Sequence, residues 1–158
     1  MKRFDDLMRA ADEAQKNLNT IHTELSAAYE DYKFKTAFSD GSLKWDEIKD
    51  IPIGEELELP SSYGSRITTV KTHQSDTAAK FIVTFYGYGI LIRHNHPDCD
   101  EEIKVATNST FKVHLGDSDR EITMKYDSRL HIHSGTDHQV TYRGRDEGIL
   151  EVILKKAI

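Results

Sequence analysis

The fold is decided by residues 89–103, which read GILIRHNHPDCDEEI. Alternate side chains of an extended strand share a face, so His94 and His96 point the same way, together with the apolar Ile90 and Ile92. Apolar residues of this kind belong in a barrel interior, and two imidazoles on one inward face can hold a single ion from adjacent directions. The stretch therefore predicts a strand that carries two metal ligands into the interior of a β structure.

After a polar turn the chain returns with two adjacent carboxylates, Glu101 and Glu102. Glu101 shares its strand face with Ile103 and Val105, whereas Glu102 shares a face with Lys104. Because the apolar series belongs inside, the parity predicts that Glu101 is the inward carboxylate. A bulge at the turn would reverse this choice.

A third imidazole follows in residues 130–140, which read LHIHSGTDHQV. Gly135 allows a tight turn, and His138 opens the next strand. The predicted ligands offer a nitrogen and oxygen donor set that suits one divalent transition metal ion: Fe, Mn, Ni, Co or Zn. They are His94, His96, Glu101 and His138. A five- or six-coordinate ion would leave positions for a substrate or for dioxygen.

The order of these ligands resembles the two metal motifs of the cupin superfamily. His94-x-His96 is followed after four residues by Glu101, as in the first motif, and Gly135-x-x-His138 matches the second. The resemblance covers roughly residues 65–155. It implies a small jelly-roll barrel in which the four ligands hold a metal at the centre.

From residue 51 onward the sequence consists of short strand-like runs divided by turn residues. Short strands at a spacing of about 8–12 residues, without helices between them, are typical of a sandwich or barrel. We predict strands at Glu56–Leu59, Arg66–Thr72, Lys80–Tyr86, Gly89–His94, Glu102–Thr107, Thr110–Leu115, Glu121–Lys125, Arg129–His133, Gln139–Tyr142 and Ile149–Leu154. With the resemblance, this pattern predicts a mainly β chain: a single-domain cupin-type jelly-roll barrel with an N-terminal helical arm.

The chain divides into three parts on this interpretation. Residues 1–38 form an amphipathic helical arm, 39–64 a connecting segment with a short helix and the first strand, and 65–158 the barrel domain. In the connecting segment Ser42 is the predicted cap of the short helix, and Pro52 ends it.

The arm carries apolar or small residues in two rows with a spacing of seven. They are Phe4, Ala11, Leu18, Leu25 and Tyr32, with Leu7, Ala14, Ile21 and Ala28 offset by three. A straight helix over residues 3–33 would span ~45 Å, more than a domain of this size can cover. The helix therefore breaks near residues 17–20, lies along its own domain, or pairs with a second copy. The stripe and the edges of a small barrel both favour a homo-oligomer, and the resemblance to cupins, which are frequently dimers, implies a dimer.

Composition excludes several classes of partner. The chain has 158 residues, 21 of them basic and 27 acidic, so its formal net charge is −6. Broad binding to nucleic acid or to an anionic membrane needs clustered basic residues, and we expect neither. No apolar run approaches the roughly 20 residues of a membrane span, and residues 1–6 turn acidic where a signal peptide would turn apolar, which predicts a cytoplasmic protein. The single Cys99 cannot form an internal disulfide and is expected to be exposed in a turn.

A few further residues are candidates for substrate binding or proton transfer. Tyr142 follows His138 on the same strand face, and Tyr86 and Tyr88 share the parity of the first ligand strand. We predict that these three tyrosines bind substrate, with packing as the alternative. Tyr142 and His133 are the candidate catalytic groups. By strand parity, His131 and His133 are both expected to face outward or to lie at the rim of the barrel.

The predicted function is that of a metal-dependent enzyme acting on a small oxygen-rich molecule. A bound metal would polarise a carbonyl and lower the pKa of a neighbouring hydroxyl or water, which suits a sugar isomerase, epimerase or lyase. Fe(II) would instead support a dioxygenase, and the ligands do not separate these reactions. The alternatives are a non-catalytic sensor of metal or sugar and an assembly protein organised by the helical arm.

Overall fold

Two antiparallel sheets supply the side chains of a single hydrophobic core. The computed structural model describes residues 2–37, 42–116 and 120–157, without the side chains of Lys2, residues 22–37 and Tyr63. The larger sheet has the strand order β1-β3-β4-β11-β6-β9, and the smaller has β2-β5-β10-β7-β8. The mainly β prediction is confirmed.

The helices are α1 (Lys2–Ala37) and α2 (Trp45–Asp50). The strands are β1 (Glu56–Glu58), β2 (Ser61–Gly64), β3 (Ile67–Gln74), β4 (Ala78–Phe85), β5 (Gly89–His94), β6 (Cys99–Val105), β7 (Phe111–Leu115), β8 (Arg120–Met124), β9 (Arg129–Ile132), β10 (His138–Tyr142) and β11 (Gly148–Lys156). Each of the ten predicted strands corresponds to one of these. The sequence did not predict β2, which pairs with β5 although it lies in the segment assigned as a connection.

Strict alternation of buried and partly exposed residues runs along β4, β6 and the first seven residues of β11. These strands lie side by side, since β11 pairs with β4 on one edge and with β6 on the other. An inward apolar series on three adjacent strands fixes their register, because a slip of one residue would turn every inward side chain to solvent. The frame that carries Glu101 on β6 is therefore firmly set.

Helix α2 docks against the larger sheet near the turn that follows the first two histidines. Its Trp45 and Ile48 are buried, and the Trp45 backbone N–H donates to Asp98 Oδ1 at 2.8 Å. The predicted cap Ser42 is wrong: the N-cap is Lys44, and Ser42 instead forms a β-bridge with Asn95. A carboxylate distant in sequence thus satisfies the first amide of the helix.

Buried Lys71 holds the other end of α2. Its Nζ donates to the backbone carbonyl oxygens of Ile48 at 2.6 Å and Lys49 at 3.3 Å, and to the Gln74 side chain. Burial lowers the pKa of Lys71, partly offset by Asp50. Cations stabilise the carbonyl end of a helix, so this lysine fixes the helix on the sheet.

Helix α1 runs without interruption from Lys2 to Ala37, so the alternative in which it breaks near residues 17–20 does not hold. At 1.5 Å per residue it is about 54 Å long. Every described side chain between residues 3 and 21 is exposed, including Phe4, Leu18 and Ile21 at 65%, 59% and 56%. This half of the helix does not lie on the barrel. Among the described helices, none combines the length and apolar character needed to cross a membrane.

The prediction of an exposed Cys99 is also wrong. Cys99 begins β6 and is 1% exposed, because the ladder between β6 and β11 extends as far as the pair Cys99 and Lys156. Burial raises the pKa of its thiol to about 12, with further contributions from Asp98 and other nearby carboxylates.

This environment predicts an inert thiol. At pH 8 a group with a pKa near 12 is about one part in ten thousand thiolate, whereas an ordinary cysteine is about a quarter thiolate. Alkylation of Cys99 by iodoacetamide is expected to be slower than that of the denatured chain by roughly three orders of magnitude. Mass spectrometry of timed samples, with and without denaturant, measures both rates. Equal rates would contradict the burial of Cys99.

Candidate metal centre

The four predicted ligands converge from both sheets of the barrel. His138 at the start of β10 pairs directly with His94 at the end of β5 in the smaller sheet, and His96 follows in the loop. Glu101 comes from β6 in the larger sheet. All four side chains are buried, and one potential ligand atom from each lies within 4.8 Å of those of the others.

Backbone carbonyls fix the orientation of the three imidazole rings. Nδ1 of His94 lies 2.8 Å from the Ile92 carbonyl oxygen, and Nδ1 of His138 lies 2.9 Å from that of Thr136. Nδ1 of His96 lies 3.2 Å from the carbonyl oxygen of Leu43. A carbonyl oxygen only accepts, so Nδ1 is the donor in each ring and Nε2 carries the lone pair. Such bonds are the usual means by which metal-binding histidines are oriented.

The Nε2 atoms of two of these rings face the carboxylate of Glu101. Glu101 Oε2 lies 2.7 Å from His138 Nε2 and 3.4 Å from His96 Nε2. Despite the short distance, neither Glu101 Oε2 nor His138 Nε2 has a hydrogen bond of acceptable geometry. Two buried acceptors that face each other are costly unless a cation or a proton lies between them. The donor set therefore fits a divalent transition metal ion.

The ionisation of the cluster follows from its burial and its own charges. Burial, followed by His138 and His96, lowers the pKa of His94 to about 3. Burial opposes the charge on Glu101, yet His138 and His96 hold the pKa of that carboxyl well below its usual range. Burial also acts against a charged His138, but the Glu101 carboxylate outweighs it and raises the pKa of His138. The cluster thus retains a carboxylate and a neutral His94, the forms that bind metal, whereas Glu101 favours a proton on His138 that a bound ion would have to displace.

The cluster lines a small and mainly apolar cavity. Its volume is about 70 Å³, enough for a few waters or a small ligand. Besides the four ligands its lining consists of Leu43, Leu59, Thr69, Phe81, Val83, Leu91, Ile103, Val140, Leu150, Val152 and Leu154. Among the described residues that line it, none is lysine or arginine, and Thr69 is the only hydroxyl. Thr69 Oγ1 itself donates to the Ile82 carbonyl oxygen at 3.1 Å.

The structure does not bring the predicted tyrosines to this cavity. Tyr142 is buried, but it stacks on Phe111 with ring centroids 4.7 Å apart, and its hydroxyl donates to the Asp146 carbonyl oxygen at 2.7 Å. Tyr86 is 39% exposed and lies beneath the Arg66 guanidinium, 5.6 Å from it. Tyr88 is half-buried at the turn before β5 and is not part of the lining.

His133, the other candidate catalytic residue, is exposed and lies outside the cavity. It lies close to Asp100 and His131. One potential ligand atom from each of the three residues lies within 4.8 Å of those of the other two. Both histidines are exposed, in the outward orientation that the strand parity predicts. They form a second cluster, separate from the buried one.

Sequence reasoning missed the contribution of the connecting segment. Leu43 lines the cavity and supplies the carbonyl that orients His96, and Leu59 also lines the cavity. Both are partly buried, and the one signal in the sequence is that each is an apolar residue in a polar stretch. Their contact with the ligands spans tens of residues, so no local pattern indicates it.

Comparisons with known proteins find similarity at the level of structure. A scan against models of protein families finds no match, and neither does a search of the curated proteins. Solved structures do match. The Schizosaccharomyces pombe Cnp3 cupin domain aligns with a TM-score of 0.53 at 10% identity, over 60% of this chain and 65% of that chain, slightly under two thirds of its length.

Two bacterial structures align at a similar level. A conserved protein with a double-stranded β-helix domain from Klebsiella pneumoniae gives a TM-score of 0.51 at 13% identity, over 71% of this chain and 86% of its own. A predicted oxalate decarboxylase from Thermotoga maritima gives a TM-score of 0.52 at 10% identity, over 58% of this chain and 81% of its own. At these identities the likeness shows the fold alone.

Proposed function

We propose that this chain, which has the fold of the cupin superfamily as the sequence resemblance predicted, is a metal-dependent enzyme acting on a small molecule. The buried cluster of His94, His96, Glu101 and His138 would hold one divalent transition metal ion. The observation that carries the proposal is the orientation of the three rings. Each has its Nδ1–H committed to a backbone carbonyl, which directs an Nε2 lone pair toward the common centre.

The lining of the cavity favours oxygen-dependent chemistry over sugar isomerisation. A divalent transition metal here supplies Lewis-acid catalysis and, in the case of iron, the activation of dioxygen. Isomerases and lyases also need a positioned acid or base, and the described lining contains no titratable group besides the four ligands. Nor does it offer a basic group for a sugar acid or a 2-oxo acid. A substrate of small size and largely apolar surface suits these walls.

The chain's own side chains would provide a dry and rigid site. Leu91, Val140 and Val152 are among the apolar groups that line the cavity beside the ligands. The carbonyls of Ile92, Thr136 and Leu43 hold the rings, so a bound ion would require little reorganisation. Low polarity around the site also strengthens its electrostatic interactions.

Elemental analysis of the purified chain tests the proposal. We expect about one transition metal ion per chain, placed by anomalous scattering among the four ligands. His96→Ala is expected to lose the ion while its far-UV circular dichroism stays unchanged, because the core does not depend on this ring. His73→Ala, which removes an exposed imidazole, is the matched control and should retain the ion. Iron would support oxygen chemistry, whereas retention of the ion by His96→Ala would refute the assigned ligands.

A second function, assembly through α1, is favoured by the charge pattern of that helix. Phe4, Leu7, Leu18 and Ile21 are exposed on the predicted stripe. All charged residues between Phe4 and Ile21 lie at heptad positions that face away from the stripe; they are Asp5, Asp6, Arg9, Asp12, Glu13 and Lys16. We propose that a second copy of the chain covers this face, since an identical stripe is complementary to it.

A further inference from the structure

We propose that Asp100, His131 and His133 form a second metal site on the outer surface of the barrel, distinct from the buried cluster. Two imidazoles and a carboxylate offer a nitrogen and oxygen donor set for a borderline ion such as Zn²⁺. One potential ligand atom from each of the three residues lies within 4.8 Å of those of the other two. Neither the fold nor the proposed reaction requires this second group.

The pairing of β6 with β9 places the three side chains on one face. Glu101 pairs with Ile132, and both are buried. Side chains of adjacent residues on a strand point to opposite faces, so Asp100 and the two histidines that flank Ile132 are directed outward. The same two strands thus carry Glu101 toward the interior and this outer cluster toward solvent.

Local contacts hold the outer cluster in place. The Ser134 backbone N–H donates to Asp100 Oδ1 at 2.9 Å, which orients the carboxylate toward the end of β9. The rings of His131 and His133 have centroids 4.9 Å apart with an interplanar angle of 79°. Both rings are exposed, so an ion reaches them without any opening of the barrel.

The outer cluster is expected to bind an ion more weakly than the buried four-ligand site. Three protein ligands leave at least one position open to water, and a solvated site binds less tightly than an enclosed one. Affinity for a site of this kind rises from Mn²⁺ and Fe²⁺ toward Cu²⁺, with Zn²⁺ also favoured. Strand β9 ends its sheet, so the open position lies at an accessible edge.

Equilibrium dialysis with Zn²⁺ at pH 7.5 tests the outer site. The wild-type chain is expected to bind two ions, and the double variant His131→Ala/His133→Ala one. His96→Ala should keep the weaker outer ion and lose the inner one. A double variant with His73→Ala and His114→Ala removes the same number of imidazoles elsewhere and should still bind two.

The outcomes separate this proposal from that of the buried centre. If the His131/His133 double variant binds as much Zn²⁺ as the wild type, the outer site is refuted, whatever His96→Ala does. If His96→Ala retains both ions while the His131/His133 double variant loses one, the buried centre is refuted and the outer site stands. Asp100→Asn is the second test, which keeps side-chain size and the fold. It is expected to weaken the outer ion by at least 10-fold, and an unchanged affinity would overturn the proposal.

Discussion

Thermal unfolding of the chain is expected to occur about 10 °C higher when Mn²⁺ fills the buried cluster, and the variant His138→Ala is expected to show no such shift. A ligand that binds only the folded state, present at about a thousand times its dissociation constant, adds about 4 kcal/mol to the free energy of unfolding. For a chain of this size each kcal/mol raises the midpoint by roughly 2–4 °C.

His138 is the ligand whose loss should have the clearest effect. It is 1% exposed, and its Nε2 lies 2.7 Å from Glu101 Oε2, so it links the smaller sheet to the carboxylate of the larger one. Loss of a residue that only orients a ligand typically lowers metal affinity about 10–100-fold. Removal of a ligand itself should exceed this, and a loss of about 1,000-fold raises the dissociation constant to the Mn²⁺ concentration used, which leaves almost no shift.

Differential scanning calorimetry in chelator and in Mn²⁺ measures both shifts. The experiment is best performed with His131→Ala/His133→Ala in every chain, so that the outer cluster contributes nothing. His73→Ala in the same background is the control and should keep the full shift. A shift of equal size in the His138→Ala chain would show that the metal binds elsewhere.

The strand parity of β6 was readable from the sequence because the strand is buried on one side along its whole length. Its burial alternates at every residue from Cys99 to Val105, so the face of Glu101 follows from that of Ile103. The same reasoning placed Tyr142 on the face of His138, and Tyr142 is indeed buried. Four residues along a strand nevertheless span about 13 Å. Tyr142 therefore lies away from the ligands and packs against Phe85 and Phe111.

Long-range contacts account for what the sequence did not reveal. Asp98 binds the first amide of α2, and the Leu43 carbonyl orients His96; each of these hydrogen bonds spans 53 residues. The predicted turn around Cys99 was too long, because pairing with β11 extends β6 to that residue. Local propensity does not contain this information, since a neighbouring strand decides where a strand begins.

Among surface substitutions, those on α1 are expected to have the largest effect, because they change the oligomeric state. The wild-type chain should migrate as a dimer of about 36 kDa, twice its 18.1 kDa. Leu7→Glu combined with Leu18→Glu should convert it to a monomer. Both leucines are exposed in the single chain, at 61% and 59%, so these changes leave the packing of the barrel intact.

The size of this effect follows from the apolar groups that a dimer would bury. Burial of each leucine is worth about 1.5–3 kcal/mol, and a dimer contains four of the substituted positions. Even the lower figure gives about 6 kcal/mol, or roughly a 10⁴-fold rise in the dissociation constant, before the repulsion between glutamates is counted. Light scattering with size-exclusion chromatography at micromolar concentration measures the mass directly. Lys16→Glu, on the charged side of the same helix, should leave the dimer intact, and a monomeric wild-type chain would contradict assembly through α1.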